Sequence, residues 1–263
     1  MELSTFTSED GVVILKSPQL DSAGFKHAFS TRKGPAGKPF DLSRPGYSRI
    51  HTPKDTCQKH LSRFCQLISP ESQVHLNTPR QMHGREIALA CSADMQEADA
   101  VISDDDGFLA GIRTADCMGI LIACPASGRV AAVHAGWRGL VSDIPGNVVN
   151  ALKTMGGSTS DPSQMIAALG PSIGAAVYEV GPEVAQTFSE NGLEHSVRPA
   201  NGSTRKKSHL DVHHAATQRL IDAGLKPSKI DGNPLCTSKI DLFYSYRNEG
   251  PECGRLMAAI LPI

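Results

Sequence analysis

The chain has 263 residues, with 26 Lys and Arg against 27 Asp and Glu, a formal net charge of −1 and a pI near 6.8. That balance excludes a broad nucleic-acid-binding surface, which needs an excess of cations to displace counterions from phosphates, and leaves room for a local basic pocket. A hydrophobic fraction of 40% with 24 glycines excludes disordered and fibrous classes, and no apolar run approaches the ~20 residues of a membrane span.

In chain order, Met1-Glu-Leu-Ser-Thr5 lacks the basic and apolar regions of an export signal. With no such signal, seven cysteines, an odd number, read as reduced thiols of a cytoplasmic protein. Thr52-Pro53 opens a helix, Thr52 as its cap and Asp55 at box-like spacing. Cys57, Leu61, Phe64, Cys65 and Ile68 form its apolar face, and Pro70 ends it. Short β-type runs follow at 73–76, 86–90, 98–102 and 108–112. Residues 118–123 and 129–134 read as a buried hairpin around Pro125-Ala-Ser-Gly128. Gly136 and Gly139 then release the chain into a helix carrying Leu140, Ile144, Val148, Leu152 and Met155, bent or restarted at Pro145. Residues 165–169 read as a strand emptying into Gly170-Pro-Ser-Ile-Gly174, 201–207 as a polar, basic loop, 210–223 as a helix and 256–263 as a last strand. The alternation predicts one α+β domain over residues 1–263, with mixed sheets flanked by helices.

The ten histidines and seven cysteines contain no Cys-x-x-Cys, His-Glu-x-x-His or His-x-His. His209 and His213, four apart, suit the solvated face of a helix better than a metal site. His83 in Gln81-Met-His-Gly84, Cys117 in Thr114-Ala-Asp-Cys117 and His134 in Val133-His-Ala-Gly-Trp-Arg-Gly139 all stand at strand ends beside turn residues. Two imidazoles and a thiolate would give a zinc ion three ligands and one open position, the pattern of a catalytic site. Spacing leaves open the alternative of one buried cysteine and two surface histidines. The glycine turn into a helix at 134–139 outlines an anion site, with Arg138 as a fork-shaped donor and Trp137 either stacking or packing. Ser30-Thr-Arg-Lys-Gly34 and Phe243-Tyr-Ser-Tyr-Arg247 are two further places where an arginine follows a strand-like stretch. Asp116 and Asp99 are each either a group that orients a ligand or takes a proton, or an ordinary turn aspartate.

Taken in order, Ser30-Thr-Arg32, Gln81-Met-His-Gly84, Ala98-Asp-Ala100, Thr114-Ala-Asp-Cys117, Val133-His-Ala-Gly-Trp-Arg-Gly139, Gly170-Pro-Ser-Ile-Gly174, Cys236-Thr237 and Phe243-Tyr-Ser-Tyr-Arg247 form a series. It resembles the laccase-domain family, also called multicopper polyphenol oxidase-like or peptidoglycan editing factor proteins, whose members look like zinc-dependent purine nucleoside phosphorylases. The resemblance runs from about residue 25 to the end and implies a single-domain, layered α/β/β/α fold. It also implies that His83, Cys117 and His134 ligate Zn²⁺, with copper as the alternative metal. Lys33-Gly-Pro-Ala-Gly37 and Asn248-Glu-Gly-Pro-Glu-Cys-Gly-Arg255 depart from the family's usual Gly-Gly-Val-Ser and Arg with Thr-Gly-Arg. The expected reaction is phosphorolysis of adenosine, inosine and methylthioadenosine, with adenosine deamination as a side activity of the same centre. Cys117, His134 and Asp116 are the candidate catalytic residues, and Arg32, Gln81, Arg138 and Arg247 the candidate substrate and phosphate ligands. The expected partners are purine nucleosides and phosphate, with neither nucleic acid nor membrane. Three rivals stand beside this reading: a polyphenol oxidase, a Cys117–His134 hydrolase acting on peptidoglycan precursors, and a zinc-stabilised binding module.

Overall fold

The computed structural model describes residues 1–47, 52–90, 96–199 and 207–263. Its first half forms β1 (Ser4–Thr7), β2 (Val13–Lys16), α1 (Pro18–Ser22), β3 (His27–Ser30), α2 (Lys54–Ile68), β4 (His75–Asn77), β5 (Ile87–Leu89), β6 (Ala100–Ser103), β7 (Phe108–Thr114), β8 (Met118–Ala123) and β9 (Val130–Ala135). Then come α3 (Trp137–Val141), α4 (Ile144–Gly156), β10 (Ile166–Leu169), β11 (Glu179–Val180), α5 (Pro182–Glu190), β12 (Val197–Pro199), β13 (Ser208–Leu210), α6 (Val212–Asp222), β14 (Ile230–Asp231), α7 (Tyr246–Glu249) and β15 (Leu256–Ile260).

Among the described residues the strands make two six-stranded sheets, ordered β1-β2-β3-β15-β7-β4 and β14-β10-β8-β9-β6-β5, and a small third sheet, β11-β13-β12. Both large sheets are mixed: β4 pairs with β7, β5 with β6 and β10 with β14 in parallel, and the remaining pairs are antiparallel. Period-two alternation decides which side chains enter which layer. In β15, Leu256, Ala258 and Ile260 face the second sheet, where Leu121, Val130 and Ala132 meet them. Met257 and Ala259 turn outward, against Phe64 and Ile68 of α2. Beyond the second sheet, Ile120, Ala131 and Val133 pack on Leu140, Val148, Leu152 and Leu220 of α3, α4 and α6. The order of layers is helix, sheet, sheet, helix, as the resemblance implies. None of the described helices is long and apolar enough to cross a membrane.

The 118–134 hairpin forms as expected, with Gly119 opposite His134. The helix after Gly136 restarts at Pro145, as the sequence suggests: α3 is five residues long, Asp143 at φ 55° ends it, and α4 starts afresh with Pro145 in its first turn. Three expectations are corrected. Residues 208–210 are strand, so His209 lies in β13 while His213 lies in α6, and the two do not share a helix face. Pro53, rather than Thr52, occupies the cap position of α2. Phe243–Ser245 lies outside any strand, and Arg247 sits on the one-turn α7. Of the predicted basic loop, residues 201–206 lie outside the described residues, as does Cys91 among the cysteines. The other six cysteines are free thiols.

Candidate active site

Two connections carry the chain from the first large sheet to the second, β4 to β5 and β7 to β8. Each delivers one side chain to the same point. Residues 115–117 are the whole of the β7–β8 crossover and end in Cys117, while His83 lies on the longer β4–β5 crossing. His134, on β9, arrives from the second sheet. The ligand atoms of the three side chains lie within 4.8 Å of one another, and this is the one such His, Cys, Asp or Glu cluster among the described residues. His134 is buried, Cys117 half-buried and His83 exposed. The two imidazoles meet edge to face, centroids 4.8 Å apart.

Asp99, just before β6, organises the cluster. One carboxylate oxygen accepts from His134 Nδ1 at 2.8 Å and from the His83 N–H at 2.9 Å; the other accepts from the N–H groups of Gly84 at 2.7 Å and Met82 at 3.1 Å. The bond to Nδ1 turns the Nε2 of His134 toward Cys117. The bonds to three successive amides hold His83 at φ 60°, a left-handed conformation unusual for a side-chain-bearing residue. Burial opposes a charge on Asp99, yet His134 and the Gly84 amide outweigh it and keep the carboxyl at about 2. Burial likewise opposes charge on Cys117 and on His134, and each is reversed by its neighbours: the imidazoles of His134 and His83 pull the thiol down, while Cys117 and Asp99 pull His134 up. Both shifts favour the charged forms, and a cation bound among these groups would compete with protons for Cys117 and His134. Gly136 gives the cluster room, because a Cβ there would stand 3.1 Å from Cys117 Sγ and 3.2 Å from the His83 ring.

Asp116, at φ 87°, tethers a distant segment to Cys117. Its carboxylate accepts from Thr237 Oγ1 at 2.5 Å and from the Arg247 N–H at 2.6 Å. The guanidinium of Arg247 then reaches the carbonyls of Val177 and Glu179 and stacks 5.3 Å from the Tyr178 ring. Arg138, two residues past Gly136, is exposed and lies 4.3 Å over the Trp137 ring, which itself packs partly on the helical side of the core. Neither arginine is ion-paired to a described residue. Arg32 differs: Glu249 sits 3.2 Å from its Nη1, Phe243 O accepts from the same nitrogen, and Tyr244 lies beneath it at 4.7 Å. Gln81 differs too, since its carboxamide exchanges two hydrogen bonds with the main chain of Arg113, at 2.7 and 2.8 Å. With α3 only one turn long, the helix-end contribution expected at 136–139 is small, and the anion-binding capacity rests on the guanidinium groups.

Sequence reasoning reached His83, Cys117 and His134 through their places at strand ends, and named Asp99 as either an orienting group or an ordinary turn aspartate. It missed Tyr178 and the spatial role of Gly136, and no local pattern marks either.

A layered α+β protein with one His–Cys–His cluster at the seam of its two sheets is the class that the fold and the site define. The profile of the family described as multi-copper polyphenol oxidoreductase laccase matches residues 26–262, and the chain belongs to that family. A purine nucleoside phosphorylase of Deinococcus radiodurans is 33% identical over 253 residues, 95% of this chain and 93% of its own. The adenosine deaminase RL5, from an unknown prokaryotic organism, is 33% identical over 194 residues, covering 69% and 73%. The crystal structure of YlmD from Geobacillus stearothermophilus superposes with a TM-score of 0.82 at 22% identity, over 98% of each chain. These names support an enzymatic role at the level of the family.

Proposed function

We propose that the protein is a zinc-dependent purine nucleoside phosphorylase that cleaves adenosine, inosine and methylthioadenosine with phosphate in the cytoplasm. The observation that carries this reading is a His–Cys–His cluster with Arg247 anchored next to it through Asp116 and with Arg138 two residues beyond Gly136, neither guanidinium ion-paired to a described carboxylate. A thiolate and two imidazoles are donors that suit zinc, and His83, Cys117 and His134 fit the ion with one coordination position left open. Zinc held there supplies a Lewis acid.

The chain's own residues do the rest. Arg138 and Arg247 offer forked donors to the phosphate nucleophile, and a ligand held between them approaches the cluster in one orientation. Arg32, expected as a third phosphate ligand, already has Glu249 against its guanidinium, so its part is to clasp the 243–249 segment. Gln81 joins the His83 loop to β7, and Asp116 fixes Arg247 beside Cys117; both position the groups that touch substrate. Cys117 and His134 would serve as metal ligands, the His134 ring held by Asp99.

The relative named adenosine deaminase RL5 favours a second activity, deamination of adenosine at the same centre. Polyphenol oxidation calls for several copper sites, and the described residues hold one cluster of this kind. A cysteine hydrolase built on Cys117 and His134 would keep its activity without metal.

The test follows base release from inosine and adenosine by zinc-loaded and copper-loaded protein, with and without phosphate, beside a phenolic substrate. Zinc-dependent release that requires phosphate is expected. Release that ignores phosphate would identify a hydrolase, and phenol oxidation by the copper form without nucleoside turnover would restore the oxidase.

A further inference from the structure

Tyr178 lies four residues beyond Gly174, half-buried, between the carbonyls that receive Arg247. Val177 O, on one side, accepts from Nη1 at 3.4 Å; Glu179 O, on the other, accepts from Nη1 at 3.4 Å and Nη2 at 3.3 Å. The ring between them presents its face to the guanidinium carbon at 5.3 Å. Three consecutive residues therefore grip an exposed guanidinium whose main chain is anchored separately, at Asp116, beside Cys117. The carbonyl bonds are long, near the limit at which hydrogen bonds direct anything, so they alone fix the fork poorly. An aromatic face adds an attraction that is strongest when the cation lies over it, and so selects one orientation. The phenol adds no charge beside the arginine: burial, and then the negative charge at Cys117, push it up to about 12.

We propose that Tyr178 is a positioning residue, its ring holding the Arg247 guanidinium ready to receive the anionic nucleophile. The proposal rests on the phosphorolysis reading for the identity of that anion, inorganic phosphate, and on geometry alone for the grip. A free arginine side chain samples many rotamers and must be ordered by each ligand that binds; here the ordering precedes the ligand.

Tyr178→Phe keeps the face and Tyr178→Leu removes it. With zinc-loaded protein, the Phe variant is expected to leave the phosphate KM within about 2-fold, and the Leu variant to raise it about 5- to 10-fold with a smaller change in kcat. In an Arg247→Ala background the Leu substitution should add nothing further. Zinc content, equal in all variants, shows that the cluster is intact. An independent readout is the Nε–H signal of Arg247 in a ¹⁵N–¹H spectrum, assigned by its loss in Arg247→Ala: a distinct signal in the wild type and Phe variant, collapsed into the bulk arginine position in the Leu variant. Equal impairment by Phe and Leu would overturn the proposal in favour of the hydroxyl, and a Leu effect undiminished without Arg247 would reduce it to packing. Should the wild type release no base in response to phosphate, the phosphorolysis reading fails, and an unchanged Arg247 signal in Tyr178→Leu then overturns the positioning role on its own.

Discussion

Asp99 binds three amides and an imidazole with two oxygens, so its charge and its shape both matter. Asp99→Asn offers one acceptor where two are used, releasing either the His83 loop or the His134 ring. Metal affinity should fall about 10- to 100-fold, read by competition with a chromogenic chelator, with far-ultraviolet dichroism unchanged. An affinity within 2-fold of the parent would show that the two histidines hold their places unaided. His27 is a different buried histidine, 0% exposed, whose Nε2 accepts from the Ser17 N–H at 2.7 Å and whose Nδ1 lies 2.9 Å from Phe25 O. Burial lowers its pKa, so the folded protein keeps it neutral where the unfolded chain, near 6.5, takes up a proton. The stability it provides is complete above pH 6.5 and declines below, by up to about 1.4 kcal/mol per pH unit until the folded group titrates. The advantage of wild type over His27→Gln in urea midpoint should therefore shrink between pH 7.5 and 5.5, and a constant difference would refute it. At this scale the site was partly legible. Cys117 opens one apolar run and His134 ends another, both next to turn residues, and that combination is visible in a string. Tyr178 becomes relevant only because Asp116 draws Arg247 across 131 residues, which nothing local encodes.

Between α3 and α4 the chain turns on one residue. Asp143 adopts φ 55° and its carboxylate accepts from the Gly146 N–H at 3.1 Å, capping α4 while terminating α3. Alanine loses the cap and keeps the left-handed cost, whereas glycine loses the cap and is relieved of that cost. Asp143→Ala is expected to lower stability by about 1–2 kcal/mol and Asp143→Gly by a few tenths, measured as denaturation midpoints at constant slope. The opposite ranking would mean that the conformation is unstrained. Periodicity found α2 and the 118–134 hairpin, since their apolar spacing is unbroken over a full element. The join of α3 and α4 was legible only through Pro145, since Leu140, Ile144, Val148 and Leu152 keep helical spacing straight through the break. Leu210, read as the start of a helix, instead ends β13 and places its side chain in the same core that α6 fills. Burial was legible there; backbone conformation was not.

In the whole molecule, β15 enters between β3 and β7, joining the C-terminal strand to strands 227 and more than 140 residues earlier in sequence. Side-chain alternation predicts which faces are buried, but pairing order depends on which edges meet, and the fifteen short strands among the described residues leave many solutions. The same closure puts two of the three cluster residues on crossings between sheets, so an ion bound there ties layer to layer. Metal at about 100 times its dissociation constant adds about 2.7 kcal/mol to folding. Chelation should then lower the melting temperature by roughly 5–10 °C, seen by calorimetry, and Cys117→Ala should melt like the chelated parent whether or not zinc is added. A melting temperature indifferent to chelator would place no ion at the seam. The carboxylate behind His134 also has a consequence for how quickly a ligand arrives. Asp99 spends its charge inward, on donors that already surround it, while Arg138 and Arg247 spend theirs outward. On the proposed reading, an anion approaching a chain whose charges sum to −1 is drawn in by these two guanidinium groups, so capture should depend on salt. Diffusional capture is fast in dilute buffer and slows as salt shortens the reach of that field to about 10 Å at 0.1 M, while events after contact proceed at an unaltered pace.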